Sequence, residues 1–178
     1  MKFDPLALTG SYLIEPEAHV DERGFFARTY CSREFAENGL NEILRQCGIS
    51  FNSRKHTLRG MHYQLSPHEE MKLVRCTRGA AYHVIVDLRE ESGTYLQWSG
   101  IELNSENRSL LYVPEGVAHG FVTLADATEI FYQMSEFHTP GCEAGIRWND
   151  PAFNIAWPVQ PAIISERDSS FADFQSRT

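Results

Sequence analysis

The chain has 178 residues, 42% hydrophobic and 12% aromatic, which suits one domain with a real core and excludes a disordered protein. A formal net charge of -8 and a pI near 5.3 exclude nonspecific binding to nucleic acid or anionic membrane, which needs a basic field. They leave room for one anionic ligand held by a few local arginines.

Short β-like runs recur along the chain with turn residues between them. Strands are expected at 11–15, 24–31, 48–52, 57–63, 71–77, 80–88, 95–103, 109–113, 119–124 and 128–135. A helix is expected at 33–38, with Ser32 as N-cap and Gly39 just past its end, and a second after Ser165. Many short strands at this spacing predict an all-β sandwich or barrel. Repeats, low-complexity segments and linkers are not apparent, so residues 1–178 read as a single domain. No run reaches membrane-spanning length, and the opening MKFDPLALTG lacks a signal peptide's apolar stretch. A cytoplasmic protein is expected, with Cys31, Cys47, Cys76 and Cys142 as reduced thiols.

Two stretches carry the candidate chemistry. In VPEGVAHGF (113–121), Pro114 and Gly116 make a turn and His119 begins a strand. The spacing P-x-G-x-x-H is similar to the second cupin motif, although a turn followed by a structural histidine would read the same way. Cupins usually bind a metal through histidines and an earlier carboxylate, seven residues before a strand-closing glycine. Here that position, counted from Gly79, is Lys72. An ammonium is a poor ligand and repels a divalent cation, so organic acid–base work in a metal-free barrel is expected. A metal-dependent cupin using His62, His83 and His119 is the alternative.

The other stretch is TLRGMHYQ (57–64), a strand with an arginine, a glycine and a histidine inside it. Together with DERGFF (21–26), MKLVRCTRG (71–79), VIVDLR (84–89), PEGVAHGF (114–121) and RWNDPAFNIAWP (147–158), it resembles the dTDP-4-dehydrorhamnose 3,5-epimerase family. The resemblance runs from about Asp21 to Asp168. It implies a dimeric cupin jelly roll (a double-stranded β-helix with one or two short helices) that needs no metal or cofactor. The implied reaction inverts C3, C5 or both in a nucleotide-diphospho-4-keto-6-deoxyhexose.

The implied roles make chemical sense. Removing a proton beside a ketone gives an enolate, and the base must titrate near neutral pH, as histidine does. His62 matches the family's base, and Asp168 the carboxylate that orients it; alone, Asp168 would read as a surface aspartate. Lys72 matches the group at the keto oxygen, where a cation stabilises enolate charge. Tyr132 matches the proton donor, though a tyrosine there would otherwise read as core. Arg59 matches a diphosphate anchor, and Arg23 one supplied by the neighbouring subunit of a homodimer. His119, His138, Glu143 and Arg167 match positions beside the substrate, and Phe26 reads as a ligand contact or as core.

Four departures from the family stand out. His83 replaces an aspartate, Arg28 replaces an acid near the nucleotide, Phe137 and His138 replace a tyrosine pair, and QCGISFNS (46–53) replaces a Q-D-N-x-S segment. An arginine only donates hydrogen bonds, where an acid accepts them. A CDP- or GDP-linked sugar is therefore a credible substrate beside the dTDP-linked one.

Overall fold

Two antiparallel sheets stack face to face in the computed structural model, which describes residues 1–175. One sheet has six strands in the order β1 (Lys2–Pro5), β2 (Tyr12–Glu15), β10 (Leu110–Val113), β7 (Lys72–Arg78), β12 (Thr128–Met134) and β5 (Gln46–Asn52). The other has five: β13 (Glu143–Gly145), β6 (Leu58–Gln64), β11 (Val117–Thr123), β8 (Ala80–Asp87) and β9 (Trp98–Asn104). A separate hairpin joins β3 (Ala18–Asp21) to β4 (Gly24–Ala27). The helices are α1 (Ser32–Glu37) and α2 (Glu166–Ser169). This is the all-β cupin jelly roll with two short helices.

The strand sequences follow from what covers each face. Val74, Cys76, Leu111, Val113 and Ile130 of the larger sheet meet Ala81, Ile85, Leu103, Val117 and Phe121 of the smaller one in the central core. The outer face of the larger sheet is covered as well: Ile14, Leu73, Leu110 and Tyr112 pack with Phe35 of α1 and with Met71. Outside the smaller sheet, Met61, Val84, Val86 and Ala118 pack under Ile146 and Phe153. All of β10 and β11 is therefore buried. Strands covered on both faces read as unbroken apolar runs, not as alternation.

The differences from the sequence expectation lie at the edges. β1, β3 and β13 are short strands that were not expected, and the run expected at 24–31 ends at Ala27. The N-cap of α1 is Cys31, in extended geometry and without a side-chain cap, so Ser32 is already helical. The first turn carries a different stabiliser, the Glu34 carboxylate, which suits the helix N-terminus and accepts from the Met1 ammonium at 2.8 Å. At α2 the expectation holds, since Ser165 Oγ accepts the Asp168 N–H at 3.1 Å.

One irregularity positions the site. Along β11, His119 lies opposite His62 and Phe121 opposite Arg59, with a register shift between them. Two steps on β11 therefore match three steps on β6, the count of a β-bulge. In a regular strand Arg59 and His62 would point to opposite faces; the extra residue brings both to the inner one. Gly60 makes this possible with φ of +119°. A Cβ there would lie 2.5 Å from Gly120 Cα and 2.9 Å from the His119 carbonyl oxygen. Gly60→Ala is expected to destabilise the fold by about 2 kcal/mol or more, through strain and backbone overlap together. Chemical denaturation measures this, and an unchanged midpoint would show that the bulge tolerates a side chain.

Candidate active site

His62 stands where three hollows meet at one end of the sandwich. Its Nε2 lies 2.8 Å from Asp168 Oδ1. A carboxylate only accepts, so His62 Nε2 carries a proton and donates it to Asp168. Asp168 is itself held: its Oδ2 accepts the Gly60 N–H at 3.0 Å, so the bulge glycine also fixes the carboxylate. The chain before α2 is stitched to β6, with Leu58 N–H donating to the Ile163 carbonyl at 2.8 Å and Thr57 bridging Ile163. Residues far apart in sequence meet through that stitch.

The Asp168 carboxyl is only 4% exposed. Burial alone would raise its pKa, but the hydrogen bonds from His62 and from Gly60 outweigh burial and hold it below the usual 3.8. Phe171 packs edge-on against the His62 ring, with centroids 6.2 Å apart.

Across the hollow, the larger sheet contributes Lys72 and Tyr132. Lys72 is 7% exposed; its Nζ sits 2.7 Å from Glu70 Oε1 and 3.4 Å from the His62 carbonyl oxygen. The Glu70 carboxylate and the His62 carbonyl thus compensate a nearly buried charge. Tyr132 packs against the core, and burial raises its hydroxyl pKa further above neutrality, only partly offset by the nearby Arg59 cation. It is a protonated donor at neutral pH.

The expected residues divide clearly. His62, Lys72, Tyr132, His138, Glu143 and Arg167 line one hollow of about 300 Å³. Arg59 and His119 join His62, Lys72 and Tyr132 around another of about 250 Å³. Arg167 and Asp168 line a third, of about 400 Å³, with Arg59 and His62. His138 Nε2 lies 2.5 Å from Glu143 Oε1, and that bond holds the Glu143 carboxyl below its ordinary value. Arg23 and Phe26 are not at this site in their own chain. They lie on the exposed β3–β4 hairpin, where Arg23 pairs with Asp21 at 2.6 Å and Phe26 is 68% exposed. Arg28 is paired with Glu34 at 3.2 Å, in a hollow separate from His62.

The three histidines of the alternative reading have other partners in this structure. His62 spends Nε2 on Asp168, while His83 Nδ1 and His119 Nε2 face each other at 3.0 Å. Among the described residues, no group of three His, Cys, Asp or Glu side chains is placed to hold a metal ion.

Three contributors escaped the sequence reading. Glu70 is the partner of Lys72; Asn52 accepts from Arg59 Nε at 2.8 Å; Gln64 accepts from Thr139 N–H at 2.8 Å and so ties down the loop carrying His138. A signal existed for Asn52, because QCGISFNS already stood out, and for Glu70, two residues before Lys72.

The sequence model of the dTDP-4-dehydrorhamnose 3,5-epimerase family matches residues 5–176. The relative of that name from Methanothermobacter thermautotrophicus is 42% identical over 173 residues, which cover 96% of this chain and 92% of the relative. The crystal structure of dTDP-4-dehydrorhamnose 3,5-epimerase from Elizabethkingia anophelis NUHP1 is similar with a TM-score of 0.95 at 38% identity, covering 98% of this chain and 96% of that one. The same enzyme from Bacillus anthracis str. Ames, solved with TDP and PPi bound, gives 0.93 at 36% identity, with coverage of 97% and 99%. The jelly roll and these likenesses together define a sugar-nucleotide epimerase. The chain belongs to the dTDP-4-dehydrorhamnose 3,5-epimerase family.

The lowered Asp168 carboxyl has a consequence for stability. A depressed pKa contributes stability that is fully present above the ordinary value of 3.8 and is lost as pH falls through the lower folded value. Wild type and Asp168→Asn should therefore differ most in urea denaturation near neutral pH and converge on acidification. A gap that widens as pH falls would contradict the assignment of the carboxylate as the charged partner.

Proposed function

We propose that this protein inverts C3, C5 or both in dTDP-4-keto-6-deoxyhexose, with His62 as base and Tyr132 as acid. The observation that carries the reading is the His62–Asp168 pair opening onto the same hollow as Lys72 and Tyr132. His62 Nδ1 takes the proton from the carbon beside the ketone, and Asp168 stabilises the resulting imidazolium. The electron pair moves to the keto oxygen, where the Lys72 ammonium offsets the charge. Tyr132, standing on the opposite sheet, returns a proton to the other face of that carbon; its phenolate is then reprotonated from solvent while the His62 imidazolium releases its proton to solvent. Arg59, steadied by Asn52, binds the diphosphate, and His119, His138, Glu143 and Arg167 surround the sugar and nucleotide. The scheme uses no metal or cofactor.

The reading includes a homodimer formed by the whole chain as one jelly-roll unit. Val20, Phe25 and Phe26 of the hairpin are 78%, 47% and 68% exposed, and Ile49 and Phe51 of edge strand β5 are 68% and 52% exposed. So much apolar surface favours a partner. A second copy's hairpin would bring Arg23 and Phe26 to the site that they do not reach in their own chain. The proposed setting is the cytoplasm; among the described residues no helix is long and apolar enough to cross a membrane.

Thymine is the proposed base. Arg28 pairs with Glu34 and shares a hollow with Phe26, so in the proposed dimer it would stand with the hairpin at the second copy's site. The Bacillus anthracis relative binds TDP. Calorimetric titration with dTDP, UDP, CDP and GDP is expected to rank dTDP first; tighter binding of CDP or GDP would overturn the choice of base.

Proton NMR of dTDP-4-keto-6-deoxyglucose in deuterated water tests the chemistry. His62→Ala is expected to slow deuterium entry beside the ketone by about a hundredfold to ten-thousandfold. Tyr132→Phe should slow net inversion more than the first exchange, because His62 still forms the enolate. Near-normal exchange in His62→Ala would sink the mechanism.

A further inference from the structure

Behind His119 lies a second histidine that the scheme above leaves idle. His83, on β8, is 0% exposed, and its ring stacks on His119 with centroids 5.3 Å apart and planes 15° from parallel. Phe121 closes against the His83 ring with a centroid separation of 5.4 Å. His83 Nδ1 meets His119 Nε2 at 3.0 Å, and among the described residues His83 Nε2 is buried without a partner. His119 in turn lines the hollow that holds Lys72 and Tyr132. One ring faces the substrate space and the other only supports it.

We propose that His83 is a positioning residue that locks His119 in one neutral tautomer, with its proton on Nδ1, so that His119 offers an N–H donor to the substrate cavity. The inference rests on the epimerase reading for its consequence, but not for its geometry.

Two proton arrangements satisfy the bond between the rings. In one, His83 Nδ1–H donates to His119 Nε2; His83 Nε2 is then a bare acceptor, and the His119 proton sits on Nδ1. In the other, His119 Nε2–H donates to His83 Nδ1, which forces a proton onto His83 Nε2. That leaves a buried N–H with no acceptor. Orphaned buried donors are rarer in folded proteins than under-used acceptors, so the first arrangement is selected. Burial pushes His83 down to about 3, and burial, His83, Lys72 and His62 together hold His119 well below its ordinary value, so neither ring gains a second proton near neutrality. His119 then meets developing negative charge with a fixed donor that carries no charge of its own. The cationic part of that task is left to Lys72.

Long-range proton–nitrogen correlation spectra of ¹⁵N-labelled wild type, assigned with single His→Gln variants, read each ring's tautomer directly. His119 is expected to be neutral with Nδ1 protonated, and His83 neutral with Nδ1 protonated and Nε2 bare. His83→Asp supplies the functional arm. A carboxylate only accepts, so it draws the His119 proton to Nε2 and reverses the tautomer. Turnover number should then fall about 10- to 100-fold, with KM little changed. A wild-type His119 that carries its proton on Nε2, or is doubly protonated at neutral pH, overturns the proposal. So does His83→Asp with a reversed tautomer and unchanged turnover. If no sugar nucleotide is turned over at all, the epimerase reading fails, while the spectra still decide the tautomer.

Discussion

The bulge at Gly60 is the constraint on which the site depends. A regular β6 would send Arg59 and His62 to opposite faces, one into the hollow and one under the outer cover. The additional residue turns both inward and sends Met61 outward into the apolar layer with Val84 and Val86. The same glycine donates its N–H to Asp168. A single backbone irregularity therefore aims His62 and Arg59 into the hollow and holds the Asp168 carboxylate against His62. Any side chain at position 60 would disturb all three, because Gly120 backs directly onto it.

Electrostatics in the hollow are arranged so that each charge has a local answer. Asp168 faces His62 and the Gly60 N–H, and Glu70 faces Lys72. Such pairs are costly to bury and worth little as net stabilisers. Their value lies in position: Asp168 holds the His62 ring, Glu70 holds the Lys72 ammonium, and burial keeps the Tyr132 hydroxyl protonated. Under the proposed mechanism, this preorganisation would spare the reaction the cost of reorienting solvent.

How much of this was legible in the sequence follows from range. The buried strands β8, β10 and β11 were legible, because burial on both faces leaves mostly apolar runs, while β7 and β12 were legible from β-prone residues between turn signals. The edge elements β1, β3 and β13 were not, since three or four exposed or half-exposed residues carry little periodic signal. Arg59, Gly60 and His62 looked wrong for a strand, and that oddity was the trace of the bulge. The partnership of His62 with Asp168 spans 106 residues, and no local pattern reveals it; only the family resemblance pointed there. Lys72 drew attention by its misfit to a metal-binding pattern, whereas its partner Glu70 did not, because a glutamate beside another glutamate reads as solvated surface. Arg23 and Phe26 were named from the resemblance, and their distance from His62 within one chain follows from the hairpin standing clear of both sheets.

Under the proposed mechanism, the layered architecture would let one small cavity serve two faces of a sugar ring. Inverting a carbon requires a base on one side of its plane and an acid on the other. Both groups must be rigid, because a proton transfer needs heavy atoms within hydrogen-bond reach. A sandwich supplies that geometry directly: His62 projects inward from the five-stranded sheet and Tyr132 from the six-stranded sheet. Stacked sheets lie about 10 Å apart, which leaves room for a sugar ring between two inward side chains once the core side chains give way at the open end. Strands hold both groups more firmly than loops would. The number of centres inverted then depends on how the bound ring turns between one fixed base and one fixed acid. Under the proposed mechanism, His138 and Glu143, paired with each other in the lining of the same hollow, are the residues that would limit that turning and so decide between single and double inversion.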